Sequence, residues 1–230
     1  MPVQRLRLTF RKGERVRFIS HLDVMRYWER CIRRAELPLS YSQGFTPHPK
    51  LQFAGPLPLG FVSEGELVDV TLDERVPIAE FVERLSAQTS ADLSVVRVDE
   101  VPLTGAPPQA TAVWAEYSVR LDDVPIEAAR EAVAAFLATD RVPFLDDRRE
   151  KPRTIDLRDI TPSLSATAAG CGSLLHARMR ASQEHAGRPE MLVAALFPGH
   201  EPSLVSRLTI SLDEPSPAHD LWRRRGRFED

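Results

Sequence analysis

The feature that most constrains this chain is an element order that runs through twice, once on each side of a Pro/Gly-rich break at 102–108. In the first run, Leu6, Leu8 and Phe10 alternate with Arg5, Arg7, Thr9 and Arg11, the period-two pattern of a strand over 3–11. Lys12-Gly13-Glu14 turns the chain, and Val16 to Ile19 continues extended. Ser20-His21-Leu22-Asp23 reads as a capping box that opens a helix to about Glu36, with Leu22, Met25, Trp28, Ile32 and Ala35 on its buried face. Leu37-Pro38 ends it. A Pro/Gly-rich loop at 39–61 leads to a strand at Glu66–Leu72, a helix opened by Pro77, and a strand at Leu93–Val98.

The same order follows the break. Tyr117–Leu121 reads as a strand, Pro125–Ala138 as a helix, Thr154–Ile160 and Ser173–Ala181 as strands, Pro189–Phe197 as a helix and Arg207–Leu212 as a strand. The expected fold class is therefore α+β, two tandem ferredoxin-like (β-α-β-β-α-β) domains with antiparallel sheets. The boundaries expected are 1–101 and 113–214 for the domains, 102–112 for the linker and 215–230 for a basic tail carrying Arg223, Arg224, Arg225 and Arg227.

Charge divides the chain unevenly. Residues 1–60 carry eleven Lys/Arg against four Asp/Glu, a net of +7, so the rest of a chain of net charge −3 carries −10. Such a split suits an anionic partner for the N-terminal part, or internal pairing of the two parts. No apolar run approaches the ~20 residues that span a bilayer, and Met1 to Arg5 lead straight into a strand with no signal peptide. Two cysteines, Cys31 and Cys171, form no disulfide framework and fit a reducing compartment, so the expected location is cytoplasmic, away from membranes.

Side chains that alternate away from the helices define candidate binding faces. Arg5, Arg7 and Arg11 do so in the first unit, and Arg120, Arg158, His176, Arg178, Arg180 and Arg207 in the second. Two cationic open faces would suit a phosphate backbone, though arginines on exposed strands also make ordinary cross-strand pairs. Arg26, Arg30, Arg33 and Arg34 share one stripe of the first helix, partly neutralised by Asp23 and Glu29. The Gln43–Lys50 loop holds Gly44, Phe45 and His48, the last fixed between Pro47 and Pro49.

Several chemistries are set aside. Two distant cysteines cannot hold an iron–sulfur cluster. The chain has no Cys-x-x-Cys, no zinc spacing, no Walker loop and no Gly-x-Gly-x-x-Gly, and no metal or cofactor is expected.

Arg17-Phe18-Ile19-Ser20-His21-Leu22-Asp23-Val24-Met25-Arg26, Glu29-Arg30, Arg33-Arg34-Ala35, Leu37-Pro38, Tyr41-Ser42-Gln43-Gly44-Phe45, Pro47-His48-Pro49 and Pro56-Leu57-Pro58-Leu59-Gly60 together resemble the signature of the radical-SAM-linked protein family. Ser63-Glu64-Gly65-Glu66 and Asp69 continue the resemblance, and Lys151 to Arg158 carry a weaker one. Its members are encoded beside, or fused to, a radical SAM protein, so the resemblance implies a radical SAM partner. A more distant architectural similarity is to the RNA-binding and RNA-processing proteins of CRISPR repeats. By that analogy His21 would be a general base. The chain departs from that group in having no Gly-rich loop near its C-terminus.

Three functions follow as expectations. The first is a non-catalytic accessory that presents structured RNA to a radical SAM enzyme, with Arg5, Arg7, Arg17, His21, Arg26, Arg30, Arg33, Gln43, Gly44, Phe45, His48 and Lys50 at the RNA. Arg120, Arg158, Arg178, Arg180 and Arg207 would add a secondary basic face. The second is a metal-independent RNA endonuclease using His21 or His48. The third is a protein–protein adaptor for the radical SAM enzyme.

Overall fold

The computed structural model describes residues 1–147, 152–182 and 186–213. Lys151 and the 215–230 tail lie outside them. The described residues form a mixed α+β protein with six α-helices and a large, mostly antiparallel sheet. The N-terminal half contributes β1 (Gln4–Lys12), α1 (His21–Arg34), β2 (Leu51–Phe53), β3 (Val62–Leu72), α2 (Ile78–Ser86) and β4 (Leu93–Glu100). After α3 (Pro108–Thr111) come β5 (Ala112–Leu121), α4 (Ile126–Ala138), β6 (Pro143–Asp146), β7 (Arg153–Asp156) and α5 (Leu157–Ile160). The chain ends this run with β8 (Ser163–Ala169), β9 (Gly172–Arg180), α6 (Pro189–Leu196) and β10 (Leu204–Leu212).

The sheet runs β4-β1-β3-β10-β5-β9-β8, with β2 also paired to β3. Its middle is the seam between the halves. There β10 meets β3 in parallel over only two residue pairs, Ser206 with Val62 and Arg207 with Ser63. Gly65 permits this approach, because a Cβ on it would lie 2.5 Å from the Leu208 carbonyl oxygen. Each half has its own apolar core. Leu6, Leu8, Phe10, Trp28, Ile32, Phe81 and Leu85 build one; Val119, Leu121, Leu157, Leu175, Met179 and Leu192 build the other. Leu57 and Phe61, from the Pro-rich segment before β3, pack into the second core and tie the halves together.

Local structure departs from expectation in four places. Val16 to Ile19, expected extended, are instead the end of a 3-10 turn at Glu14–Val16 and the turn and bend that follow it. On α1 the buried row is Val24, Trp28, Cys31 and Ile32, and Leu22 stays 60% exposed, because it sits about a quarter turn off that row. The strand expected at Thr154–Ile160 stops at Asp156, whose carboxylate accepts the Arg158 N–H and starts the short α5. Its place in the main sheet is taken by β8, a run of small residues with a weak strand signal.

Candidate functional site

The helix and the loop named from sequence each expose the side chains expected of them, cationic on the helix and aromatic at the loop tip. Ser20 accepts the Asp23 N–H and fixes the start of α1. Arg26, Arg30, Arg33 and Arg34 all lie on its solvent side. Arg26 is 3.6 Å from Asp23 and Arg33 is 3.9 Å from Glu29, contacts of exposed groups worth under ~1 kcal/mol. The following loop is closed at its base. Ser42 N–H donates to the His48 carbonyl at 2.8 Å, and His48 N–H donates to the Ser42 hydroxyl at 2.9 Å. Gly44 holds a φ of 133°, which L side chains avoid. The tip therefore presents Phe45 wholly to solvent, at 111% relative exposure, between exposed Gln43 and His48. Lys50 is half-buried at the loop's end, and Arg17 lies over the Phe18 ring at 4.7 Å.

Three arginines assigned to open faces are buried. Arg5 and Arg7 do point away from α1 and α2, but that side is not open. Asp69, with no exposed surface, takes both: Arg5 Nε at 2.8 Å and Arg7 Nε at 2.7 Å. Arg5 also donates to the carbonyls of Pro102, Gly105 and Ala106, so it holds the inter-half segment against β1. Arg207 is turned inward by a bulge between Arg207 and Thr209, which reverses the alternation read from sequence. Arg158 belongs to α5, where it bonds the Thr139 and Thr161 carbonyls and lies over Phe136. Arg120, Arg178 and Arg180 do occupy the outer face of β5 and β9, the last two against Trp114.

The seam gathers a second constellation, most of it not foreseen. Glu66 of β3 receives Arg207 Nε at 2.7 Å and pairs with its Nη2, both side chains buried. Tyr117 is paired with Arg207 across β5 and β10. Burial alone would lower the Arg207 pKa, but Glu66 outweighs it and the net shift is upward. Lys12, 2% exposed, gives two N–H bonds to the Arg17 and Ile19 carbonyls, at 2.9 and 3.4 Å. Burial lowers its pKa, and Glu66 offsets part of that.

His21 stands above this group at the first position of α1, its ring edge-on to Phe53 at 5.3 Å. Burial lowers its pKa, Glu66 partly restores it, and Arg207 and Lys12 lower it again, so the imidazole is neutral at pH 7. Two spaces meet at His21. An inner cavity of about 10 Å³, walled by Lys12, Glu66, Phe10 and Phe53, has room for about one water molecule. An outer cleft of about 300 Å³ is walled by Met25, Phe53, Pro56 and Pro107, with Gln52 and Gln109 at its rim. No cluster of metal-ligating side chains occurs among the described residues. Of the sequence candidates, only His21 joins this group and the α1 surface; His48 stands apart on the loop.

Fold and site thus define a mixed α+β protein whose two halves share a sheet, with a cleft over a buried charge cluster at the seam. The chain belongs to the family described as "Uncharacterized protein conserved in bacteria (DUF2344)", which matches residues 5–189. No curated protein matches it. Among solved structures it is similar to a chain of "Crystal Structure of a Cbf5-Nop10-Gar1 Complex", at 13% identity and TM-score 0.49, covering 92% of this chain and 50% of that one. It therefore spans about half the length of that relative. A putative dyp-type peroxidase protein from Shewanella oneidensis aligns at 12% identity over 91% of both chains, with a TM-score of 0.24. Likenesses this distant say nothing of activity. No helix among the described residues is long and apolar enough to cross a membrane.

Proposed function

We propose that this protein is a non-catalytic accessory that binds structured RNA on the surface of α1 and the 42–50 loop and presents it to a radical SAM enzyme. The observation that carries the reading is Phe45. A large aromatic side chain wholly in water, at the tip of a loop closed by its own hydrogen bonds and near the exposed His48, suits stacking on an unpaired base. The radical SAM partner rests on the resemblance in residues 17–69, and on a chain whose two cysteines cannot themselves hold an iron–sulfur cluster. We also read each half as a ferredoxin-like unit. Its support is strand order: β4-β1-β3-β2 and β10-β5-β9-β8 follow the same fourth, first, third, second sequence.

Filter binding of cellular RNA across a salt series tests the RNA reading. With about four cations at phosphates, affinity falls roughly 50-fold between 50 and 200 mM salt. Salt-insensitive binding, or none, rejects it.

One feature favours the adaptor reading instead. Phe18, Leu22 and Leu59 are each 60% or more exposed around the start of α1. On that reading the protein co-purifies with the radical SAM enzyme without nucleic acid, and Leu22→Asp abolishes the association.

A further inference from the structure

We propose that the seam cleft is a binding pocket for a nucleotide phosphate, with one phosphate oxygen seated in the inner cavity beside Lys12 and His21 and the nucleoside in the outer cleft. Neither Phe45, His48 nor any α1 arginine lines this pocket, and the proposal stands whether or not their surface binds RNA.

The first argument is charge. Arg207 and Glu66 neutralise each other through two hydrogen bonds. Lys12 is left over. Its two acceptors are uncharged backbone carbonyls, and no carboxylate among the described residues forms an ion pair with it. Glu66 acts on both cations, but one carboxylate set against two buried cations leaves the cluster one positive charge in excess, a cost that an added anion would relieve. One of the three ammonium N–H groups has no acceptor among the described residues, and Lys12 lines the cavity. A neutral imidazole supplies a second donor at the same place.

The second argument is size. The inner cavity, about 10 Å³, has room for about one oxygen-sized atom, so an anion would enter by a single oxygen while its body stays in the outer cleft. The outer cleft, about 300 Å³, stands at the lower end of the range for small-molecule pockets. Met25, Phe53 and Pro56 give it apolar walls for a flat body, and the Gln52 and Gln109 amides can meet the polar edge of a base. Lysine as a point charge suits phosphate.

The test uses the full chain with uridine and adenosine 5′-monophosphates, inorganic phosphate and a short single-stranded oligonucleotide. Binding is followed by calorimetry and by the His21 ring signals in NMR. One-to-one binding that moves those signals is expected, with a mononucleotide at least ~10-fold tighter than inorganic phosphate because of the cleft walls. An oligonucleotide that moves His21 as well as the mononucleotides do marks an RNA phosphate as the source; response to mononucleotides alone marks a free nucleotide. Lys12→Met should lose at least ~10-fold. Because Lys12 is buried, Gly55→Leu serves as the second variant. Gly55 lines both spaces, and a Cβ on it meets nothing within 4 Å, so the first atom of a new side chain is accommodated there and the leucine is expected to obstruct the cleft. It should abolish mononucleotide binding while RNA binding at Phe45 persists. His21 signals unmoved by every ligand, equal affinity for inorganic phosphate and nucleotide, or full binding in Gly55→Leu would each overturn the assignment.

Discussion

Replacing Glu66 by Gln tests whether the seam is held by charge. The carboxylate is 4% exposed and is the sole ion-pair partner of Arg207 among the described residues, Arg207 itself being 6% exposed. It also offsets the burial of Lys12. Glutamine keeps the volume and removes the charge, leaving two buried cations uncompensated. Breaking one buried pair by removing a partner costs about 3–5 kcal/mol. For a chain of this size that is a fall in Tm of roughly 6–20 °C. The loss should concentrate at the seam, where only two residue pairs join β3 to β10. Urea denaturation gives the free energy, and amide exchange at Val205 to Leu208 reports the local opening. The pH dependence supplies a further check. Lys12 has a folded pKa below its ordinary 10.5, and losing Glu66 lowers it further. The unfolded state then binds more protons, so stability rises with pH through that window and the deficit of the variant narrows in alkali. A Glu66→Gln protein within about 1 kcal/mol of the parent at neutral pH, with unchanged exchange at β10, would refute the reasoning.

Other outcomes follow from the same structure. Phe45→Ala should weaken RNA binding by ~5- to 150-fold, the value of one lost base stack, and shift stability by under ~0.5 kcal/mol since nothing packs on the ring; equal affinity in parent and variant removes Phe45 from the interface. His21 has a folded pKa below its ordinary 6.5, so the unfolded chain takes up the proton first as pH falls. Its contribution to stability is present above pH 6.5 and is lost below it, and His21→Gln should flatten that part of a stability–pH profile relative to the parent. Gly65→Ala places a methyl 2.5 Å from the Leu208 carbonyl oxygen, a backbone atom that cannot swing aside. A loss of ~1–3 kcal/mol is expected by thermal denaturation, and a neutral result would mean that β10 does not hold its place against β3.

Much of the architecture was legible in the sequence, because period and punctuation are local properties. Alternation gave β1, Ser20 the start of α1, and the prolines before Ile78, Ile126 and Glu190 the starts of α2, α4 and α6. The exposed surface of α1 and its loop was legible for the same reason: a stripe of arginines and a Pro-fixed loop show themselves without a partner. The misreadings have one cause, which is that a strand pattern tells two faces apart but not what covers each. Arg5, Arg7 and Arg207 looked like free cations on open sheet faces. In the fold the 102–106 segment crosses Arg5, the buried Asp69 takes both Arg5 and Arg7, and a bulge turns the third inward. A signal was present in β3, where Glu66 and Asp69 interrupt an apolar strand. Two buried acids require buried bases, and three of the chain's arginines answer them. Which arginines answer, and that Lys12 and His21 gather beside them over a cleft, depends on packing β10 against β3 from positions more than 140 residues apart. Local sequence carries no record of that distance, and tertiary structure alone decided it.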